Sequence, residues 1–99
     1  MNITIETVHF DAAERLEDFI YQKVGKLDQF SDSIISAEVT LRVEKAGTDE
    51  NKIAEIELDI PGSNLFAKKQ NKSFEEAVDQ TCEALRKQLI KRKEKLKAK

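Results

Sequence analysis

The chain has 99 residues, 39% apolar and 36% charged, with 17 Lys and Arg against 19 Asp and Glu and a formal charge of −2. That length gives room for one domain with a single two-layer core, and the composition is too apolar for a disordered tail. No apolar run approaches the ~20 residues of a membrane span, and the N-terminus MNITIETVHF has neither a basic leader nor an apolar signal core. The expected compartment is therefore the cytoplasm. The single cysteine, Cys82, excludes an internal disulfide, and with the single histidine, His9, it cannot complete a Cys/His zinc site.

In chain order, Ile3 and Ile5 alternate with Thr4 and Glu6, which predicts a half-buried strand near 2–8. Asp11 followed by Glu14 reads as a capping box opening a helix over about 12–29. Ala13, Leu16, Ile20, Val24 and Leu27 recur at spacings of three and four and give that helix one apolar face. A second strand near 35–45 places Ala37, Val39, Leu41 and Val43 opposite Glu38, Thr40, Arg42 and Glu44. AGTDEN at 46–51 is turn chemistry. A third strand near 53–60 alternates Ala54, Ile56, Leu58 and Ile60 with Glu55, Glu57 and Asp59, so the sheet has one wet, acidic face. Pro61-Gly62 suits the centre of a type II turn, and a short fourth strand near Leu65–Gln70 follows.

Ser73, with Glu76 three residues on, opens the last helix. Phe74, Ala77, Val78, Thr81, Cys82, Leu85, Leu89 and Leu96 share one side of it, and the same projection puts Arg92 there. The helix is expected to leave the core around Leu89 and to project as a basic, partly frayed extension at about 90–99. The fold class is α+β: a single domain, residues 1–99, with element order β-α-β-β-β-α and a four-stranded sheet with two helices packed on one face. The first two strands pair in parallel through the helical crossover and the rest are antiparallel.

Charge is distributed unevenly along this chain. Residues 1–63 hold six basic and 14 acidic side chains, whereas 64–99 hold 11 basic and five acidic. The run LRKQLIKRKEKLKAK at 85–99 alone holds eight Lys and Arg and one acid, Glu94. A solubilising helix end that complements the helix dipole accounts for two or three such lysines. It accounts poorly for eight, because like charges one turn apart repel, so the run points to phosphate or nucleic acid. Lys23, Lys26, Lys68, Lys69 and Lys72 are candidates to extend it.

Catalytic signals are weak. His9 has no Ser or Cys partner in a motif, Cys82 sits on an apolar stripe, the strand carboxylates lie on a solvated face, and no glycine-rich phosphate loop exists. The chain is not expected to be an enzyme, and no cofactor or metal is implied.

With this element order, KVGKLDQF at 23–30, LRVEKAG at 41–47, FEEAVDQ at 74–80 and LRKQLIKRKEKLK at 85–97 resemble the short ribosome hibernation promoting factors, whose sister group is the ribosome-associated translation inhibitors. The resemblance implies a cytoplasmic factor that binds the small ribosomal subunit and its 16S-type rRNA, in 70S ribosomes as well. It would lie in the mRNA and tRNA channel, over the A and P sites, and sterically silence translation in idle ribosomes. Carried over by position, Lys23 and Lys26 match the family's K-x-x-KL pattern and Arg42 and Lys45 its L-[KR]-V-E-K strand end. Lys87, Lys91, Lys93 and Lys95 match its terminal helix, where Arg92 occupies a basic or histidine position. Arg86 belongs to the same basic run.

The chain departs from the family's pattern at AKKQNKS before the last helix, at Glu75 and at Ala84. These changes move positive charge towards Lys68, Lys69 and Lys72. Two alternative readings are a double-stranded-RNA-binding-like module, which lacks the leading strand, and a membrane-surface or partner-binding module using the basic helix. The terminal turns contain no Trp or Phe, so no membrane partner is expected. Because no linker or second core follows the basic helix, a monomer in solution is expected.

Overall fold

A computed structural model of the chain describes residues 1–8, 10–44 and 49–97, with side chains through Lys93. The elements are β1 (Asn2–Val8), α1 (Glu14–Gly25), a 3-10 turn (Lys26–Gln29), β2 (Ser36–Val43), β3 (Lys52–Ile60), β4 (Ser63–Asn71) and α2 (Phe74–Lys97). The strands lie in the order β1-β2-β3-β4, with β1 parallel to β2 and the other pairs antiparallel. This is the α+β arrangement expected from the sequence.

The strand register aligns Ile3 and Ile5 with Ala37 and Val39, and these with Leu58 and Ile56, so one sheet face is apolar over its centre. Against it pack Ile20 and Val24 of α1, Leu27 of the 3-10 turn, and Phe74, Val78, Leu85 and Leu89 of α2. Ile20, Leu41, Ile56, Leu58 and Leu85 are fully buried, each worth about 1.5–3 kcal/mol. Thr81, the one buried polar side chain among the described residues, donates its hydroxyl to the Ala77 carbonyl at 2.7 Å and is thereby satisfied.

The opposite face is solvated and largely acidic. It presents Glu6, Glu38, Glu55, Glu57 and Asp59 with two cations, Arg42 and Lys68. Ile53 on this face is nevertheless buried, and Gln70 beside it donates to the Glu50 carbonyl.

The first helix differs from its sequence expectation. It begins at Glu14, not Ala12, and its N-cap is Ala13, extended at φ −68° and ψ 150° with no side-chain cap bond. The Asp11–Glu14 capping box therefore does not form, and Ala13 is exposed, not on the apolar face. Just ahead of this start, Phe10 stacks on Phe74 with ring centroids 4.8 Å apart, a tertiary contact that the local sequence pattern does not carry. The α-helix also stops at Gly25 and tightens into the 3-10 turn, as helix ends commonly do.

Later elements follow expectation more closely. Ser73 caps α2, its hydroxyl accepting the Glu76 N–H at 3.2 Å. Gly62 has φ +80°, the value that the second central position of a type II turn needs. β2 is shorter than expected, because Ile35 lies outside it and 53% exposed. β4 is longer, running from Ser63 to Asn71. Helix α2 continues past residue 90 to Lys97, about 36 Å in all. The expectations for His9, Lys45 and the turn residues 46–48 lie outside the described residues, as do those for the side chains of Lys95 and Leu96. Among the described residues no helix is long and apolar enough to cross a membrane.

Candidate nucleic-acid interface

Helix α2 forms a ridge with a groove on either side, and its sequence spacing decides which cations reach each one. Lys87 and Lys91, one turn apart, are exposed on the crest and on the flank facing β4. There a cavity of about 600 Å³ is lined by Lys69, Lys87, Asp79, Gln80, Glu83 and Ala84. A second hollow along the same flank is lined by Leu65, Gln88, Lys91 and Arg92. The flank is fixed by two bonds across it: Gln88 donates to the Phe66 carbonyl at 3.1 Å, and Arg92 to the Pro61 carbonyl at 3.1 Å.

The other flank faces α1 and the 3-10 turn. Lys23, Lys26 and Arg86 line one hollow there, with Asp79, Glu83 and Phe30. Arg92 and Lys93 line the next, beside Gln29, Phe30, Ser31, Asp32 and Ser33. Aromatic rings support two of these cations: Lys23 lies 5.7 Å from the Phe19 centroid and Arg86 lies 5.8 Å from that of Phe30.

Not every expected contact residue is unengaged. Lys23 pairs with Asp79 at 3.0 Å. Arg86 forms a two-pronged contact with Glu83. The hydrogen bond from Arg86 holds the Glu83 carboxyl below its ordinary range, and the same bond raises the Arg86 guanidinium. Glu83 is exposed and Arg86 half-buried, so the pair adds little stability. Among the described residues, Lys26, Lys69, Lys91 and Lys93 form no salt bridge, and neither does Lys87, although its charge adds to the lowering of Glu83.

The structure thus brings Lys23, Lys26, Lys69, Arg86, Lys87, Lys91, Arg92 and Lys93 to the two flanks of α2. Three other candidates lie apart from that patch. Lys68 projects from the acidic sheet face opposite Glu55. Arg42 is on the same face, its Nε 3.0 Å from Glu55 Oε2 in a charge contact without hydrogen-bond alignment. Lys72 is exposed at the β4–α2 junction, before the first turn of the helix and far along it from Lys93. Sequence reasoning missed Gln88, Gln29, Ser31 and Ser33, because a neutral side chain gains a place beside a basic groove only through the tertiary packing. Among the described residues no group of His, Cys, Asp and Glu could hold a metal ion.

This fold with a basic ridge has close counterparts. The family described as Sigma 54 modulation protein / S30EA ribosomal protein matches residues 3–97. The chain belongs to that family. It is 35% identical over 97 residues to the ribosome hibernation promoting factor of Klebsiella oxytoca, covering 98% of this chain and 96% of the relative. It is 30% identical over 97 residues to the ribosome hibernation promoting factor of Escherichia coli strain K12, covering 98% of each. Among solved structures, the Thermus thermophilus Protein Y N-terminal domain superposes with a TM-score of 0.80 at 25% identity, over 92% of this chain and 98% of that one. A ribosomal subunit interface protein from Coxiella burnetii shares the fold, with a TM-score of 0.82 over 100% of both chains at 23% identity.

Proposed function

We propose that the protein is a ribosome hibernation factor. In this reading it binds the 16S-type rRNA of the small subunit within the mRNA and tRNA channel, and it does so in 70S ribosomes as well. The observation that carries the reading is the α2 ridge, where Lys87, Lys91 and Lys93 form no salt bridge among the described residues and grooves lie on both sides, in a chain of the S30EA family. Lys and Arg contacts to phosphate would position the protein and release counterions. A folded RNA groove would select it by shape, without base readout. Occupying the A and P sites would then exclude tRNA and mRNA by volume alone. No bond is made or broken, so the protein acts stoichiometrically, as a monomer in the cytoplasm, and not as an enzyme.

Co-sedimentation with purified 30S subunits and 70S ribosomes tests this reading, together with poly-Phe synthesis by the same ribosomes. Log affinity should fall roughly linearly with log salt, by about 0.7–0.9 per phosphate contact. Reversing Lys87, Lys91 and Lys93 together to Glu should flatten that slope and restore synthesis. A triple variant that binds as tightly as the wild type across the salt range would overturn α2 as the contact surface.

A further inference from the structure

The hollow between the 3-10 turn and the basic half of α2 encloses about 190 Å³ and is not a uniformly basic surface. Arg92 and Lys93 line it from the helix, Phe30 and Leu89 supply its apolar surface, and Asp32 and Ser33 line it from the turn before β2. The Ser31 hydroxyl accepts the Ser33 N–H at 3.3 Å and lies 2.9 Å from the Ser33 hydroxyl, so this turn is held by its serines. Among the described residues neither Asp32 nor Lys93 forms a salt bridge, although both line the same hollow. Arg92 does not pair with Asp32 either; its guanidinium donates to the Pro61 carbonyl at 3.1 Å, which anchors that cation. Opposite charges that face one cavity and stay out of contact leave a gap. A ligand with an anionic group at one end and hydrogen-bond donors at the other can span it.

Phe30 also lines the neighbouring hollow of Lys23 and Lys26, where Arg86 stands 5.8 Å from its ring centroid. Arg86 lines that hollow and not this one, so the ring divides the two cavities and turns a different surface to each.

A nucleotide meets these groups part by part. Its phosphate suits Lys93 and Arg92, and its base suits the aromatic wall, since every base has a π-face that stacks on Phe. A carboxylate only accepts hydrogen bonds, through two oxygens. Guanine is the base whose Watson–Crick edge offers two adjacent donors, the ring N1–H and the exocyclic N2 amino group, and so matches a carboxylate in bidentate fashion. Uracil offers one N–H between two carbonyls, which a carboxylate repels.

We propose that this hollow is a guanine-nucleotide site, with the base on Phe30 and Asp32 and the phosphate on Lys93 and Arg92. The nucleotide has two possible sources, an unpaired guanosine of rRNA and a free guanine nucleotide; for the first of these the proposal rests on the RNA-binding reading above. Shape selects the groove in that reading, and the site adds one base contact to it.

The test follows the amide chemical shifts of residues 30–33 as GMP, AMP, CMP, UMP and ribose 5-phosphate are titrated into the whole chain. GMP should bind roughly tenfold more tightly than any of the others. Asp32 is exposed, so Asp32→Asn leaves the fold intact. On a merely basic surface, removing that negative charge would tighten every phosphate ligand. In the proposed site it should weaken GMP roughly tenfold while ribose 5-phosphate binds as well or better. Phe30→Leu, which keeps an apolar side chain against the core, should weaken all four nucleotides several-fold and spare ribose 5-phosphate.

Equal affinity for the four nucleotides would overturn the proposal, as would an Asp32→Asn variant that binds GMP as tightly as the wild type or more so. Vacant 30S subunits identify the source. If rRNA supplies the nucleotide, Asp32→Asn weakens 30S binding several-fold and excess GMP competes with the subunits. If a free nucleotide fills the site, neither change affects 30S binding while the preference for GMP holds. A wild type that ignores 30S subunits but selects GMP would refute the RNA-binding reading and leave the site standing.

Discussion

The Arg92 guanidinium donates to the Pro61 carbonyl, 3.1 Å away, and so fastens the basic half of α2 to the β3–β4 turn. This explains why a charged residue occupies the apolar stripe of the helix: its stem lies over the core while its head reaches the backbone. Arg92→Ala should lower stability by about 1 kcal/mol, roughly 4–8 °C in a domain of this size. It should weaken ribosome binding by more than loss of one charge, because Lys91 and Lys93 lose their placement. Thermal melts and ribosome co-sedimentation check both effects, with Arg92→Lys as the control that keeps the charge and loses the planar donor.

Lys68 and Lys69 are neighbours in sequence and opposites in space. On β4 successive side chains point to opposite faces, so Lys69 joins Lys87 at the α2 groove while Lys68 stands across from Glu55. Lys69→Glu should therefore weaken ribosome binding and reduce the salt slope by about one contact. Lys68→Glu should leave the slope unchanged and destabilise slightly by opposing two acids. Parallel salt titrations of the two variants separate them; equal losses would place β4 differently against the RNA.

Much of this was legible before the coordinates. Period-two alternation fixes both sheet faces, and the Ser73–Glu76 spacing marks the true start of α2. The same spacing misleads at Asp11–Glu14, where Ala13 is the extended N-cap and a local pattern carries no information about the nearby Phe10–Phe74 stack. The basic run is visible in the sequence, but its division into two flanks is not, since that depends on where β4 and the 3-10 turn pack. The alternation that assigns Glu55 and Glu57 to the wet face also separates Lys68 from Lys69.

Core and ridge should respond differently to truncation. Leu85 is fully buried between α2 and the sheet, so Leu85→Ala should cost about 2–5 kcal/mol. Lys87, two residues on and exposed, should change stability by less than about 0.5 kcal/mol when replaced by Ala. Urea denaturation gives both values; similar losses would contradict the packing of α2.

Glu38 and Glu57, directly opposed across β2 and β3, make a prediction independent of any RNA. Glu57→Lys converts the pair to opposite charges and should stabilise the fold by about 0.2–1 kcal/mol. Raising the salt should shrink that gain, because screening weakens the original repulsion and the new attraction alike. A destabilised variant would mean that Glu57 makes a contact worth more than the repulsion it suffers.

Cys82 supplies the pH test of the core. Its thiol is pushed up from 9.0 to about 12, first by burial and then by the Asp79 carboxylate, with Lys23 acting weakly the other way. The folded chain therefore keeps its proton where the unfolded chain has released it. Stability falls with rising pH wherever the unfolded state binds fewer protons. This contribution is accordingly intact below pH 9 and is lost progressively between about pH 9 and 12. Cys82→Ala should flatten that alkaline limb in denaturation curves while lowering stability at neutral pH through the lost packing. The native thiol should also resist alkylation at pH 8 and react once the chain is unfolded, since only the thiolate attacks. Rapid native labelling would show that the α1–α2 contact over Cys82 opens far more often than a closed core allows.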